Sequence, residues 1–272
     1  MKMVILLLGI CGILYGEKLQ LTVIRSPADN LLKNAAFANI KQKIPAGWEF
    51  RDYSKSENFA LQAEKGVFRL ETSGNTYGYL QQLQVPVIEG KTYYAEVQIK
   101  LNSRALLWLV TSQYDDKLGA LQEPKSSTKI YAIANPDHGE ELVKELQYFI
   151  NPAYLVPVSE HIWHRCALEF TVPRGHGIVN YDFRVGAYGG TAGWIEIKEP
   201  LFTSATQNLT LILEGENLVK LNVCSMDRSE VQTYSLSPHR ERQQISIILK
   251  SRLKHYYAEI ITESGKLIRR TL

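Results

Sequence analysis

The stretch that decides the fold is residues 77–101, YGYLQQLQVPVIEGKTYYAEVQIKL. Apolar and polar side chains alternate through its two halves, with Glu89-Gly90-Lys91 as a turn between them, which is the period of two of half-buried strands. The stretch therefore predicts a β-hairpin with one face in a core. The other face would carry amides and charges that water, a loop or a ligand must satisfy; its residues are Gln82, Gln84, Glu96 and Gln98.

The same pattern extends in both directions along the chain. Short segments rich in Val, Ile, Tyr, Phe and Trp are separated by Gly, Pro, Asn and Asp, which is typical of strands in an antiparallel sandwich or jelly roll. We predict an all-β protein, a jelly-roll β-sandwich followed by a small second β-sandwich domain. The predicted strands are 19–24, 31–37, 48–53, 59–61, 67–71, 106–114, 129–132, 163–172, 181–188 and 193–202, then 209–213, 218–224, 231–236, 244–249, 256–261 and 266–272.

A chain of 272 residues exceeds what one core usually organises. We expect a signal peptide at 1–16, a strand and linker at 17–29, the jelly roll at 30–204 and the small sandwich at 205–272. One segment breaks the strand rhythm, because residues 137–151, DHGEELVKELQYFIN, place apolar residues at helical spacing. This helical insertion would either pack on the sandwich surface or form one wall of a binding cleft.

The N-terminus predicts export. Met1-Lys2-Met3 supplies a positive start, and the apolar run that follows to Tyr15 is too short for a membrane anchor. The protein would be secreted or displayed at a bacterial surface, in a periplasmic or extracellular location. Leu8-Gly9-Ile10-Cys11 resembles a bacterial lipoprotein box, so a lipid anchor at Cys11 is an alternative and would be its membrane attachment.

Charge and cysteine content exclude several functions. The net charge is +3, and residues 205–272 carry 10 Lys and Arg against 7 Asp and Glu, an excess of basic residues too small for a nucleic-acid groove.

Cys166 and Cys224 fall in different predicted domains, so a disulfide is not expected, and Cys166 is interpreted as a small buried hydrophobic residue. The spacing of His161 and His164 on a predicted strand does not favour zinc. A basic cluster near the C-terminus is interpreted as a solvated face rather than as a site that binds an acidic surface. It comprises Lys250, Arg252, Lys254, His255, Arg269 and Arg270.

Three groups of residues resemble carbohydrate-binding modules of families 4 and 9. The first is Asn30-Leu31-Leu32 through Phe37, followed by Pro45-Ala46-Gly47-Trp48. The second is the stretch 82–97 with its Gly-Lys-x-Tyr, and the third comprises Trp163 to Pro173, Arg184-Val185-Gly186 and Trp194 to Leu201. Together they span residues 30–203.

The resemblance implies a galactose-binding-like jelly roll that binds a polysaccharide or glycan without catalysis or a cofactor. Members of the family often hold a structural calcium with an acidic residue after the opening Phe and an Asp in the last strand. This chain has Ala38 and Glu196 at those positions. The family also implies a neighbouring catalytic domain, which this sequence does not contain.

A sugar site needs aromatic rings to stack on C–H faces and polar groups to bond hydroxyls. Trp48 and Trp163 are interpreted as structural, and Trp108 as either core or platform. Tyr and Trp near Gly-containing turns could serve a ligand, as could polar side chains that point off the core, Arg184 among them. The candidate ligand-binding residues are Tyr77, Tyr79, Gln82, Gln98, Trp108, Arg184, Tyr188 and Trp194.

Two alternative functions stay open. The sandwich could serve as a structural or protein-binding domain of a cell-surface protein. It could also be a glycoside hydrolase or polysaccharide lyase, which would use two carboxylates drawn from Glu96, Glu169 and Glu196. These carboxylates sit at ordinary outward positions and no catalytic motif selects a pair, so we expect a non-enzyme.

Overall fold

The computed structural model describes residues 19–55, 59–74, 77–103, 105–111, 129–135, 154–157, 162–175, 177, 179–188 and 192–272. For residues 106, 108, 110, 111, 129–135, 154–157 and 188 it describes the backbone alone. The expected signal peptide at 1–16, the anchor at Cys11 and the helical insertion at 137–151 lie outside these residues. Within them, no helix is long and apolar enough to cross a membrane.

All regular structure in the described residues is β-strand, which confirms the all-β class. The strands are β1 (Gln20–Arg25), β2 (Ile40–Lys41), β3 (Ile44–Pro45), β4 (Glu49–Asp52), β5 (Phe59–Glu64), β6 (Val67–Thr72), β7 (Tyr77–Pro86), β8 (Thr92–Leu101), β9 (Ala105–Thr111), β10 (Lys129–Asn135), β11 (Tyr154–Pro157), β12 (His164–Thr171), β13 (Asn180–Tyr188), β14 (Gly193–Ser204), β15 (Gln207–Glu214), β16 (Leu218–Ser225), β17 (Val231–Ser235), β18 (Arg242–Leu249), β19 (Tyr256–Thr262) and β20 (Leu267–Thr271).

Two compact units divide the chain. One is Asp29–Ser204, and the other combines Ala205–Leu272 with the described part of the segment that precedes Asp29. Each is described by itself below.

The unit Asp29–Ser204 is a jelly-roll sandwich of two sheets. The six-stranded sheet has the order β11-β10-β9-β13-β7-β4, and the five-stranded sheet has the order β12-β8-β14-β6-β5. Because side chains alternate along each strand, both sheets send one set inward to a shared core. That core includes Leu80, Leu107 and Phe183 from the first sheet and Phe68, Val97, Ile195 and Leu168 from the second.

The predicted hairpin at 77–101 is wrong, although both of its strands exist. β7 pairs with β13 and β4, whereas β8 pairs with β12 and β14 in the opposite sheet. The turn at Glu89-Gly90-Lys91 therefore joins the two layers of the sandwich. Alternation identifies a strand and its buried face, but it does not identify the strand's partner.

A second correction concerns residues 31–37, which form turns rather than a strand. Residues 33–36 are turn, and Asn34 and Phe37 have φ values of 47° and 50°, far from those of extended strand. Asn30 ties this segment to β14, because its amide nitrogen donates to the Pro200 carbonyl at 2.9 Å and its Oδ1 accepts the Phe202 N–H at 3.1 Å. The family-like opening is thus a hydrogen-bonded loop.

Trp48 is a core residue, as predicted. Its side chain is 6% exposed and packs edge-on against Phe37 and Phe183, with ring centroids 5.4 and 5.9 Å away. Its indole N–H donates to the Lys33 carbonyl at 2.9 Å, so the buried polar atom is satisfied.

The other unit is a smaller sandwich. Its sheets have the orders β1-β15-β18 and β17-β16-β19-β20, and they share a core that includes Leu211, Leu221, Ile247 and Ile260. Strand β1 pairs with β15 over six residues, from Gln20 opposite Glu214 to Arg25 opposite Leu209. Its Leu21 and Val23 pack against that core.

Candidate functional site

The outward face of the six-stranded sheet gathers several polar and aromatic side chains. In adjacent strands, Arg51 lies opposite Tyr79, and Gln81 lies opposite Arg184. Their neighbours Leu80 and Val185 belong to the core, so these side chains point the other way, off the core.

Tyr53, which directly follows β4, joins this row. Its ring centroid is 5.6 Å from that of Tyr79, with the ring planes at 64°, and its hydroxyl donates to Gln81 Oε1 at 3.4 Å. The guanidinium carbons of Arg51 and Arg184 lie 4.9 and 5.4 Å from the Tyr53 centroid, within the range of cation–π attraction. We call these five residues the Tyr53 cluster: Arg51, Tyr53, Tyr79, Gln81 and Arg184.

A buried ion pair fixes Arg184 within the Tyr53 cluster. Its Nη2 is 3.0 Å from Asp182 Oδ2, and the two side chains are 8% and 7% exposed. The other carboxylate oxygen accepts the Gln84 N–H at 2.9 Å. A charge in this environment is stable only when it is paired and hydrogen-bonded, so Asp182 holds the guanidinium in place beside Tyr53.

The solvent exposure of the side chains differs across this face. Tyr79, Gln81 and Arg184 are 2%, 1% and 7% exposed, whereas Tyr77 is 39% exposed and Arg51 is exposed. β4 ends the described order of the sheet. A ligand would therefore reach this cluster from the β4 side, where Tyr77, Arg51 and the half-buried Tyr53 present their side chains.

Gln82 does not lie on this face, contrary to expectation. It pairs with the core residue Phe183, and its amide bonds the backbone of Lys33 and Gly47. The cause is a bulge in β7 between Gln82 and Val85, where Gln84 adopts φ 55°. One extra residue reverses the alternation, so Gln82 and Val85 both face inward.

Gln98 and Trp194 lie on a different surface, the outward face of the five-stranded sheet. Gln98 donates to Glu96 Oε1 at 3.1 Å, while the guanidinium carbon of Arg69 sits 4.8 Å from the Trp194 ring. Trp163 is half-buried on the same unit with Lys198 Nζ 4.4 Å from its ring. The predicted binding residues are thus divided between the two faces of the sandwich.

For Trp108 and Tyr188 the structure gives register alone. Trp108 in β9 pairs with Arg184, and Tyr188 in β13 pairs with Tyr77, which places the Trp108 backbone beside, and the Tyr188 backbone within, the strands of the Tyr53 cluster. Their side chains lie outside the described residues, so their assignment to the site stays a prediction.

The residues present do not fit the calcium ion that the family resemblance implies. Glu196 Oε1 is 3.0 Å from Arg69 Nη1, and its Oε2 is 3.9 Å from Lys100 Nζ, so two cations already contact this carboxylate. Ala38 offers no side-chain oxygen. In the part of the chain that the structure describes, no three His, Cys, Asp or Glu side chains group as metal ligands.

The candidate carboxylates for catalysis are also engaged. Glu96 Oε2 is 2.8 Å from Arg165 Nε and contacts the Tyr94 hydroxyl, which is buried. Burial and the neighbouring carboxylate raise the pKa of Tyr94 well above its ordinary value. Glu96 is therefore both ion-paired and hydrogen-bonded on the sheet surface.

Sequence reasoning missed Arg51, Tyr53, Gln81 and Asp182. Alternation alone places Gln81 on the same side of β7 as Tyr79 and Tyr77. The predicted hairpin instead assigned Gln82 and Gln84 to the polar face, which excluded Gln81 from it. Tyr53 stands beyond the end of β4, and its position depends on the hydrogen bond from its N–H to the Tyr77 carbonyl at 2.7 Å. No local pattern encodes that contact.

Fold and site together define a class, a jelly-roll protein with an aromatic and polar sheet face. No family model and no curated protein matches the sequence. Solved structures with a similar fold include one described as "CBM4 structure and function", at 12% identity and a TM-score of 0.38, covering 63% of this chain and 98% of that one. Another is TmCBM61 in complex with beta-1,4-galactotriose, at 12% identity and a TM-score of 0.39, covering 65% and 99%.

A third similar structure is the enzymatically active domain of bacteriophage CBA120 tailspike protein 4. Its identity is 14% and its TM-score 0.42, and the match covers 64% of this chain and 21% of that one. The present chain thus spans about a fifth of the tailspike domain. Each of these likenesses concerns the fold alone.

Proposed function

We propose that this protein binds a polysaccharide or glycan non-covalently, without catalysis or a cofactor, at the Tyr53 cluster. The observation that supports the proposal is the combination of two tyrosines in edge contact, two guanidiniums and an amide on one outward sheet face. Sugars present apolar C–H faces and rims of hydroxyls, so rings and planar donors are the groups that a glycan site requires.

The accessible edge would make the first contacts. The ring of Tyr77 would stack on a sugar face, and Arg51 would donate to hydroxyl or ring oxygens. Tyr53 and the ion-paired Arg184 would form the base of the site and are already held in one geometry. Few side chains then need to be ordered, which lowers the entropy cost of binding. Export through the segment at 1–16 is part of the same proposal.

The test is binding of the full chain to a panel of neutral polysaccharides by affinity electrophoresis and calorimetry. We expect Tyr77→Ala to weaken binding about tenfold, because a stacked ring contributes about 1.5 kcal/mol, and Tyr77→Phe to retain it. Arg51→Ala should weaken it about fivefold or more, while Arg240→Ala, an exposed arginine of the other unit, should not.

Trp194→Ala distinguishes the two faces of the sandwich. The proposal requires this variant to bind like the parent chain, because Trp194 lies on the five-stranded sheet. Loss of binding in Trp194→Ala with full binding in Tyr77→Ala would move the site to that sheet. Failure of the parent chain to bind any member of the panel would contradict the proposal itself.

A further inference from the structure

A second cleft lies on the smaller unit, on the outward face of its four-stranded sheet. In β16 and β19 the residues Leu221, Val223, Ala258 and Ile260 face the core, so Tyr257 faces outward. The cleft has a volume of about 400 Å³, within the range of ligand sites. Its lining residues are Met226, Arg228, Tyr257, Arg269, Arg270 and Thr271.

Two of its arginines share one carboxylate. Arg228 Nη2 and Arg269 Nη2 lie 3.0 and 2.9 Å from the same oxygen of Glu259, Oε1. The Glu259 side chain is 10% exposed, whereas those of Arg228 and Arg269 are 61% and 58% exposed. The buried carboxylate therefore fixes two guanidiniums whose remaining N–H groups face the cleft and solvent.

The cleft keeps an excess of positive charge. Arg270 donates to the Arg269 carbonyl at 2.9 Å, and no ion pair of Arg270 occurs among the residues that the structure describes. The nearby Asp227 and Glu230 share a single cation, because Lys254 Nζ lies 3.5 Å from Asp227 and 3.2 Å from Glu230. Four cations, the three arginines and Lys254, therefore stand against the carboxylates of Glu259, Asp227 and Glu230, and this positive excess favours an anionic ligand.

Its other groups suit a sugar. Arg228 Nε donates to the Tyr257 hydroxyl at 3.1 Å, so that hydroxyl keeps its own hydrogen for a ligand oxygen. Thr271 adds a second hydroxyl, and Met226, 67% exposed, adds apolar surface for C–H groups. We propose that this cleft binds an acidic polysaccharide, through bidentate bonds from the arginines to its carboxylates.

This site is separate from the Tyr53 cluster and needs no property of it. The test uses the full chain with polygalacturonate as the probe and its fully methyl-esterified form as the neutral counterpart. We expect binding of the acid form alone, weakened by added salt because exposed charges are screened. Arg228→Gln with Arg270→Gln should weaken it roughly tenfold, while Arg269 still pairs with Glu259 and preserves the fold.

The matched control is Arg240→Gln with Arg242→Gln, which lowers the net charge equally at exposed positions away from the cleft lining. It should bind polygalacturonate like the parent. Equal loss in both double variants would reduce the effect to net charge and overturn the proposal, as would equal binding of the esterified polymer. Binding of poly-glutamate in place of polygalacturonate would assign the cleft to an acidic peptide. Tyr77→Ala should leave this binding unchanged, which separates it from the site on the jelly roll.

Discussion

The side chain of Gln82 and the backbone of Lys33 hydrogen-bond each other in both directions. Gln82 Oε1 accepts the Lys33 N–H at 2.7 Å, and Gln82 Nε2 donates to the Lys33 carbonyl at 3.1 Å. The same nitrogen donates to the Gly47 carbonyl at 3.2 Å. One inward-facing amide thus fastens two parts of the opening loop to the jelly-roll core.

Gln82→Ala should lower the free energy of unfolding by about 1–3 kcal/mol, because the part-buried Lys33 N–H and Gly47 carbonyl lose this partner. Urea denaturation measures the loss. Gln98→Ala is the matched control, since Gln98 is half-buried on the sheet surface and bonds Glu96; a change within about 0.5 kcal/mol is expected there. Equal effects from the two variants would show that the loop contacts of Gln82 do not stabilise the fold.

Gly186→Ala should destabilise the six-stranded sheet by about 2–3 kcal/mol. A Cβ at Gly186 would lie 2.2 Å from the Gly78 carbonyl oxygen and 2.9 Å from Tyr79 Cα, so strands β7 and β13 would have to separate. Tyr79 would move with β7, and glycan binding at the Tyr53 cluster should weaken as well. Thermal denaturation and binding of the same sample test both effects.

Gly74→Ala provides the comparison, because a Cβ there meets no atom within 4 Å. It should change the free energy of unfolding by less than about 0.5 kcal/mol. A tolerated Gly186→Ala would indicate that the two strands adjust more easily than the backbone contact suggests.

Stability should fall as the pH rises from about 9 to about 12. Burial raises the pKa of the Cys166 thiol to about 12, and burial also raises the pKa of Tyr181 to about 12. Unfolded, these groups lose their protons nearer pH 9 and 10. The native state then binds more protons than the unfolded state, so raising the pH through this window favours unfolding.

Alkylation of Cys166 offers an independent measurement of the same burial. Iodoacetamide reacts with the thiolate, so the native protein should resist labelling at about pH 8.5 and label fully in urea, as read by mass spectrometry of the Cys166 peptide. Rapid native labelling would contradict the burial of this side chain.

Strand β1 should be required for the stability of the smaller unit. Val23→Asp places a charge against its core, where a loss of about 2–3 kcal/mol is expected, whereas Ile24→Asp changes a side chain that is 42% exposed. Hydrogen exchange of the β15 amides reports the pairing directly. Unchanged protection in Val23→Asp would mean that β15 and β18 suffice without the N-terminal strand.

The sequence by itself determined the all-β class, most strand positions and the buried parity from Val85 to Leu101, because alternation and residue type are local properties. It also selected Tyr79 and Arg184 as candidate ligand-binding residues. Only the tertiary structure decided that β7 and β8 belong to different sheets. A strand carries the same pattern whichever partner it takes, so pairing depends on contacts distant in sequence.

The same reason explains the changes at the site. The bulge after Gln82 is an irregularity in the pairing of β7 with β13. Gln82, which the sequence indicated as a sugar ligand, faces inward and bonds the opening loop instead. Tyr53 entered the site through contacts with Gln81 and Arg184, which are 28 and 131 residues away along the chain. Residue types therefore indicated the chemistry of the face, and long-range packing decided which side chains share it.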